Sequence, residues 1–322
     1  MKKSKFDTFI LALFLFIALA YFFPQLYTWE DGKVLSWATT IGVSLIFFFY
    51  GLKLSFPQIK AGLKNWRLHL LVQASTFILF PLVLLPFYPL VKSSIQHDFW
   101  LSFFFLAALP STVSSSVVMV SIAKGNIPAA IFNASISGLI GVVVTPLWMQ
   151  FFMDFGEVAV LGDIYGGLIL EIILPVILGL FLQPYWGKWG TKYSKPLNKF
   201  DKLVILLIVY ASFAESFVSG VFDSIGKSYL ILVFLGVVVF FVFVYGLIYL
   251  LARYVFKFNR EDQITALFCG SKKSLTHGSV FGKFIFSHAA GAGLYFLPLM
   301  IYHAFQILVV TIIAQRYASQ KK

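Results

Sequence analysis

Apolar residues arrive along this chain in long uninterrupted runs, with polar and charged residues gathered in short stretches between them. Period-two alternation, the mark of barrel strands, is missing from the runs, so helices are the predicted spanning elements. The runs fall at about 6–23, 34–54, 68–90, 99–123, 127–153, 163–183, 202–221, 228–252, 263–286 and 291–314. Each is close to the roughly 20 residues that a bilayer crossing needs, so ten spans are expected. The first run follows Met1-Lys-Lys-Ser-Lys5, as the core of a signal peptide would. Its length, its aromatic content and the want of a small-residue cleavage site make it the first span instead.

Spans one and six, three and eight, and five and ten start about 160 residues apart, as an internal repeat would place them. Five spans per half is an odd number, so the second half enters from the opposite side. The expected plan is an all-α integral membrane protein with a 5+5 inverted repeat, about 6–153 and 163–314, forming one transporter domain over 1–322.

Two of the runs are interrupted. Within the ninth, Phe268–Gly282 reads F-C-G-S-K-K-S-L-T-H-G-S-V-F-G. A lysine at the centre of a spanning helix costs roughly 2.5–3.5 kcal/mol on insertion scales. Lys272 and Lys273 must therefore face water, a partner or a site. Gly270, Gly278 and Gly282 loosen the helix around them, and Ser271, Ser274, Thr276 and Ser279 can satisfy freed backbone groups. His277 follows the lysines and either lines a pathway or packs.

Subtracting the repeat offset from Ser271 leads to Ser111, inside Pro110-Ser-Thr-Val-Ser-Ser-Ser116 of the fourth run. Proline removes a backbone donor and clashes with the preceding turn. Ser111, Thr112, Ser114, Ser115 and Ser116 then crowd hydroxyls beside it. One or two serines in such a helix would be read as small-residue packing. Five beside a proline, paired by the repeat with Gly270–Thr276, point to a site.

Composition sharpens the class. Hydrophobic residues make up 60% and charged residues only 12%, against about 25% charged in soluble domains. The net charge of +12 could suggest nucleic acid, but the basic residues lie in loops, where the positive-inside rule puts them, and no nucleic-acid partner is expected. Groups at Lys2–Lys5, Lys53–Arg67, Lys124, Lys188–Lys202, Arg253–Arg260 and Arg316–Lys322 fall on one side of the ten-span plan. That side is the cytoplasm, so both termini are expected there, in a multi-pass protein of a cell membrane, the inner membrane of a bacterium. The single cysteine, Cys269, excludes an internal disulfide.

Carboxylates within spans are functional candidates by default. Glu215 in span seven and Glu171 in span six could pair with Lys272 or Lys273, or form a purely structural salt bridge. Asn133 and Ser135 in span five are candidate polar lining. No histidine spacing makes a zinc site. Two S-x-x-K matches, at Ser121 and Ser224, lack the partner motifs of hydrolases. Neither clustered carboxylates nor a nucleophile–base pair is found, so no enzyme is expected, and no P-loop is present to bind ATP, so transport would draw on a gradient.

Leu109-Pro-Ser-Thr-Val-Ser-Ser-Ser116, Ala123-Lys-Gly-Asn126 and Thr145-Pro146 resemble spans four and five of the bile acid:sodium symporter family. Phe268-Cys-Gly-Ser-Lys-Lys-Ser-Leu275 is similar to the ninth-span signature of its divergent, sodium-dependent transporter-like branch. The resemblance covers nearly the whole chain. It implies a core built from spans within 68–153 and 228–314 and a panel from 6–54 and 163–221, with spans four and nine unwound and crossing at mid-membrane. It implies substrate between core and panel, and organic anions such as bile acids, steroid sulfates or small carboxylates, driven by sodium. Family members carry a glutamate and a glutamine in the ninth span and an asparagine in the fourth as sodium ligands. Here the acidic ligand is missing, the asparagine corresponds to Ser116 or Val117, and lysines stand nearby. A sodium ion near Ser115, Ser116, Ser271 and Ser274 is one expectation. The other is that Lys272 or Lys273 replaces the cation, as a tethered ammonium or a proton carrier.

The sequence thus supports a cation-coupled transporter of a small organic anion in the lipid bilayer. The alternative is a non-transporting ligand sensor or regulator of ion homeostasis using the same cleft. No oligomeric state is read from the sequence.

Overall fold

A computed structural model describes residues 8–54, 65–112, 114–153, 162, 165–218, 220, 226–287 and 292–319. Their regular structure is helical, with no strand among them. The helices are α1 (Thr8–Phe22), α2 (Lys33–Lys53), α3 (Trp66–Leu90), α4 (Ser94–Ala108), α5 (Ser114–Ile122), α6 (Ile127–Gln150), α7 (Tyr165–Lys192), α8 (Ser194–Val218), α9 (Ser228–Val255), α10 (Arg260–Gly270), α11 (Leu275–Ile285) and α12 (Ala292–Ser319).

Among the described residues, six helices are long and apolar enough to cross a membrane: α2, α3, α6, α7, α9 and α12. The other four expected runs take different forms. The first is the shorter helix α1. The fourth and ninth are each split in two, as α4 and α5 and as α10 and α11. The seventh lies in α8, whose first third carries Lys195, Lys199, Asp201 and Lys202. Leu11, Phe14, Phe181 and Val239 leave most of their surface uncovered. Apolar surface on this scale belongs against lipid, and the chain is a multi-pass membrane protein.

The chain forms two compact units. The first comprises Met1–Leu54, Phe155–Gly226 and Ser279–Phe296; the second comprises Ser55–Asp154, Lys227–Gly278 and Leu297–Lys322.

In the first unit, α2 and α7 touch backbone to backbone. A Cβ at Gly51 would collide with the carbonyl of Val176, and one at Gly179 with the carbonyl of Phe48. Small residues allow this approach, which helices in lipid use in place of hydrophobic packing. Against α8, Tyr210 Oη donates to the carbonyl of Phe23 at 2.6 Å, and Lys202 stands over the Phe9 ring at 5.0 Å.

In the second unit, one carboxylate gathers three chain segments. Asp262 Oδ2 accepts from Asn65 Nδ2 at 2.7 Å and Oδ1 accepts from Asn126 Nδ2 at 2.8 Å. Asn65 precedes α3, Asn126 caps α6 by accepting from Ala129 N at 3.1 Å, and Asp262 sits in the first turn of α10. Asn259 caps α10, accepting from Asp262 N at 2.8 Å. Three helix N-termini carry partial positive charge, and the carboxylate offsets it. Further along α3, a π-turn at Ser75–Leu79 loosens the backbone. Trp148 Nε1 donates to the freed carbonyl of Phe77 at 2.8 Å, and Trp100 Nε1 to that of Leu84 at 3.0 Å.

Two outcomes follow for stability in detergent, read by thermal unfolding. Gly179→Val should cost about 1–3 kcal/mol by overpacking, whereas Gly246→Ala should cost nothing, because a Cβ there meets no atom within 4 Å. Asp262→Ala should cost about 2–3 kcal/mol by stranding two amides and removing the dipole partner.

Candidate functional site

Proline decides where α4 stops. Pro110 pushes Leu109 out of the helical region, to φ −72° and ψ 152°. The helix resumes at Ser114. In the other run, α10 ends at Gly270, Ser271–Ser274 is non-helical, and α11 begins at Leu275. The two gaps meet inside the second unit. Ser274 N donates to the carbonyl of Pro110 at 2.9 Å, and Ser111 Oγ donates to that of Cys269 at 2.5 Å.

Each gap frees backbone groups that must find partners away from water. Side chains supply them. Tyr302 Oη donates to the Ser271 carbonyl at 2.7 Å. Gln306 brackets Lys273, accepting from its N–H at 2.9 Å and donating to its carbonyl at 2.8 Å. Thr145 Oγ1 donates to the Ala108 carbonyl at 2.7 Å. Ser137 Oγ accepts from Ser111 N at 2.9 Å.

The two lysines, both fully buried, do different things. Lys273 Nζ donates to three carbonyls, of Thr76 at 2.7 Å, Ala107 at 2.6 Å and Leu109 at 2.8 Å. An ammonium has three donors, and here all three are used. Its remaining face lies 4.0 Å from the centre of the Phe80 ring. The Ala107 and Leu109 carbonyls end α4, where the helix dipole favours a cation. Lys272 Nζ instead donates to Ser115 Oγ at 2.9 Å, its one hydrogen bond among the described residues. Ser115 joins a hydroxyl cluster: Thr112 Oγ1 lies 2.7 Å from Ser115 Oγ and 2.9 Å from Ser116 Oγ.

The remaining expected residues are placed as follows. Ser114 begins α5, and its side chain lies outside the described residues. Gly270 closes α10. Ser271 Oγ donates back to Leu267 O at 2.6 Å. Ser274 caps α11, its Oγ accepting from His277 N at 3.2 Å and lying 2.9 Å from His277 Nδ1. Thr276 is half-buried. At Gly278 a Cβ would strike Leu299 and Leu109, so this glycine is needed for close packing. Asn133 bonds Ala129 O through Nδ2 at 2.9 Å and accepts from Gln73 Nε2 at 3.1 Å, neither partner lying in the gaps. Ser135 is buried in α6.

Glu171 takes neither Lys272 nor Lys273 as partner. Its Oε2 accepts from Lys283 Nζ at 3.0 Å within the first unit. Lys283 lies in α11. Glu215 lines a cavity of that same unit.

Sequence reasoning missed Gln306, Tyr302, Gln73 and Ser137. An amide at Gln306 in an otherwise apolar run was a usable signal, since such a group must find a partner in lipid. Tyr302 and Ser137 carried none, because both occur freely in spanning helices.

Interrupted helices sealed by side chains are the means by which transporters carry irregular backbone through a membrane. The chain belongs to the SBF-like CPA transporter family, whose sequence profile matches residues 7–319. It is 38% identical over 316 residues to an uncharacterized protein of Pseudomonas aeruginosa, covering 98% of this chain and 94% of that one. It is 35% identical to the putative symporter YfeH of Escherichia coli, covering 98% and 93%. It is 30% identical to sodium/bile acid cotransporter 7 of Xenopus tropicalis, covering 85% and 80%.

The two lysines should separate on mutation. Lys273→Met strands up to three carbonyls and should lower stability by at least about 2 kcal/mol. Lys272→Met, which strands one serine hydroxyl already bonded to Thr112, should lower it by less than about 1 kcal/mol. Thermal unfolding of the purified variants checks both.

Proposed function

We propose that this transporter is a secondary active carrier of a small organic anion, working by alternating access and driven by a cation gradient. The observation that carries the reading is the unequal bonding of the two buried ammonium groups. Lys273 is saturated by carbonyls and serves the fold. Lys272 keeps two donors beyond its bond to Ser115, next to the hydroxyls of Thr112 and Ser116. A buried cation with donors to spare suits a carboxylate, sulfate or sulfonate. The printed names of the relatives, a symporter and sodium/bile acid cotransporters, support the same class of cargo. Bile acids, steroid sulfates and small carboxylates are the candidates.

Sodium does not fit the helix crossing. Sodium wants oxygen ligands with negative character, and the three carbonyls suited to it hold the Lys273 ammonium. The hydroxyls of Ser115 and Ser116 bond within their own cluster beside Lys272, and those of Ser271 and Ser274 serve Leu267 O and the start of α11.

In this reading the chain crosses the bilayer ten times as a 5+5 inverted repeat. The crossings α1, α4 with α5, α8, and α10 with α11 add to the six long helices. The basic loops support a cytoplasmic location for both termini.

Counterflow in proteoliposomes tests the proposal, with labelled taurocholate, estrone sulfate and succinate as probes in sodium-free buffer. Saturable exchange of at least one is expected, cut about tenfold or more in Lys272→Gln, the loss expected for a charge-assisted hydrogen bond. Tight binding without exchange in any arm would overturn transport in favour of a ligand sensor.

A further inference from the structure

The first unit contains a cavity of about 560 Å³. Tyr27, Ser36, Thr39, Ser212, Glu215 and Lys283 supply its polar wall. Its two charged side chains are held differently. Lys283 Nζ is bonded to Glu171 Oε2 at 3.0 Å and to Thr40 Oγ1 at 2.8 Å, so its charge is already balanced. Glu215 is half-buried and has no hydrogen bond or ion pair among the described residues. Neighbouring Ser216 turns its hydroxyl elsewhere, donating to Ser212 O at 2.8 Å and accepting from Gly293 N at 2.9 Å.

A carboxylate placed in a spanning helix at the edge of a polar cavity, without a compensating partner, calls for a cation. Among the described residues no three His, Cys, Asp or Glu side chains are grouped to hold a metal ion. One carboxylate among hydroxyls suits a proton. We propose that Glu215 is the proton-binding group of this transporter: the carboxylate takes a proton from a hydronium ion in the cavity, leaving a neutral carboxylic acid and a water molecule, and returns it by the reverse step. The other titratable groups on the cavity wall are the Tyr27 phenol and the Lys283 ammonium, the latter clamped by Glu171. That the bound proton is the coupling cation rests on the transport reading above. Proton binding itself does not.

Infrared difference titration of the purified protein tests the site without any substrate. On acidification the wild type should gain protonated-carboxyl C=O absorption in which Glu215 contributes its own band beside those of the other Asp and Glu side chains. Glu215→Gln should lose that one band, while Glu171→Gln, which removes the salt-bridged carboxylate, should keep it. Glu215→Asp should shift the band and serves if the glutamine variant fails to fold. An unchanged band in both Glu215 variants would overturn the proposal, as would suppression of the wild-type band by sodium but not by potassium. In proteoliposomes, accumulation of labelled taurocholate driven by an inward proton gradient should be lost in Glu215→Gln. Absence of all counterflow in the wild type would fell the transport reading, and the infrared titration would still decide the proton site.

Discussion

An ammonium group fills the place where two broken helices need a cation. Interrupting α4 and α10 leaves carbonyls pointing into an interior without water, and in such surroundings an unpaired carbonyl costs about 1–3 kcal/mol. Lys273 answers two of them, at Ala107 and Leu109, together with the Thr76 carbonyl of α3, and the Phe80 ring closes the fourth side of its coordination. A bound ion would do the same work reversibly, coming and going with its concentration. A lysine does it permanently. The crossing therefore holds these three carbonyls without a bound ion, its cation fixed in place by the chain itself. Pre-organisation of this kind lowers the entropy lost on binding.

The sequence made the interruptions legible because the residues responsible are rare in apolar helices. Pro110 beside a row of hydroxyls, and Lys272-Lys273 flanked by glycines, each break a helical run on local grounds. Their meeting was implied by the family resemblance, in which spans four and nine cross. What the sequence could not assign was the division of labour between adjacent lysines. They are neighbours in a non-helical stretch, and only the positions of the Thr76, Ala107 and Leu109 carbonyls saturate one and leave the other with a single serine partner among the described residues. Glu171 failed for a related reason. Its pairing with Lys283 depends on α11 turning that lysine toward α7, which charge spacing alone does not reveal. The number of long helices was partly hidden too, since a span cut by a site falls below the length that marks a crossing.

Membership of the SBF-like CPA transporter family sets the chemistry of the crossing in relief. An organic anion needs positive charge near its path, and a coupling cation needs negative charge. In this chain the two fully buried lysines lie in the second unit, and Glu215, with no hydrogen bond or ion pair among the described residues, lines a cavity of the first.

The Asp262 carboxylate has a mechanical meaning as well. It binds the approach to α3, the cap of α6 and the first turn of α10 at a single point. The bonds from Ser111 to Cys269 and from Lys273 to Thr76 join the same unit again at the crossing. With α3 and α10 fastened at two levels, neither can hinge about Asp262 alone without breaking bonds at the crossing.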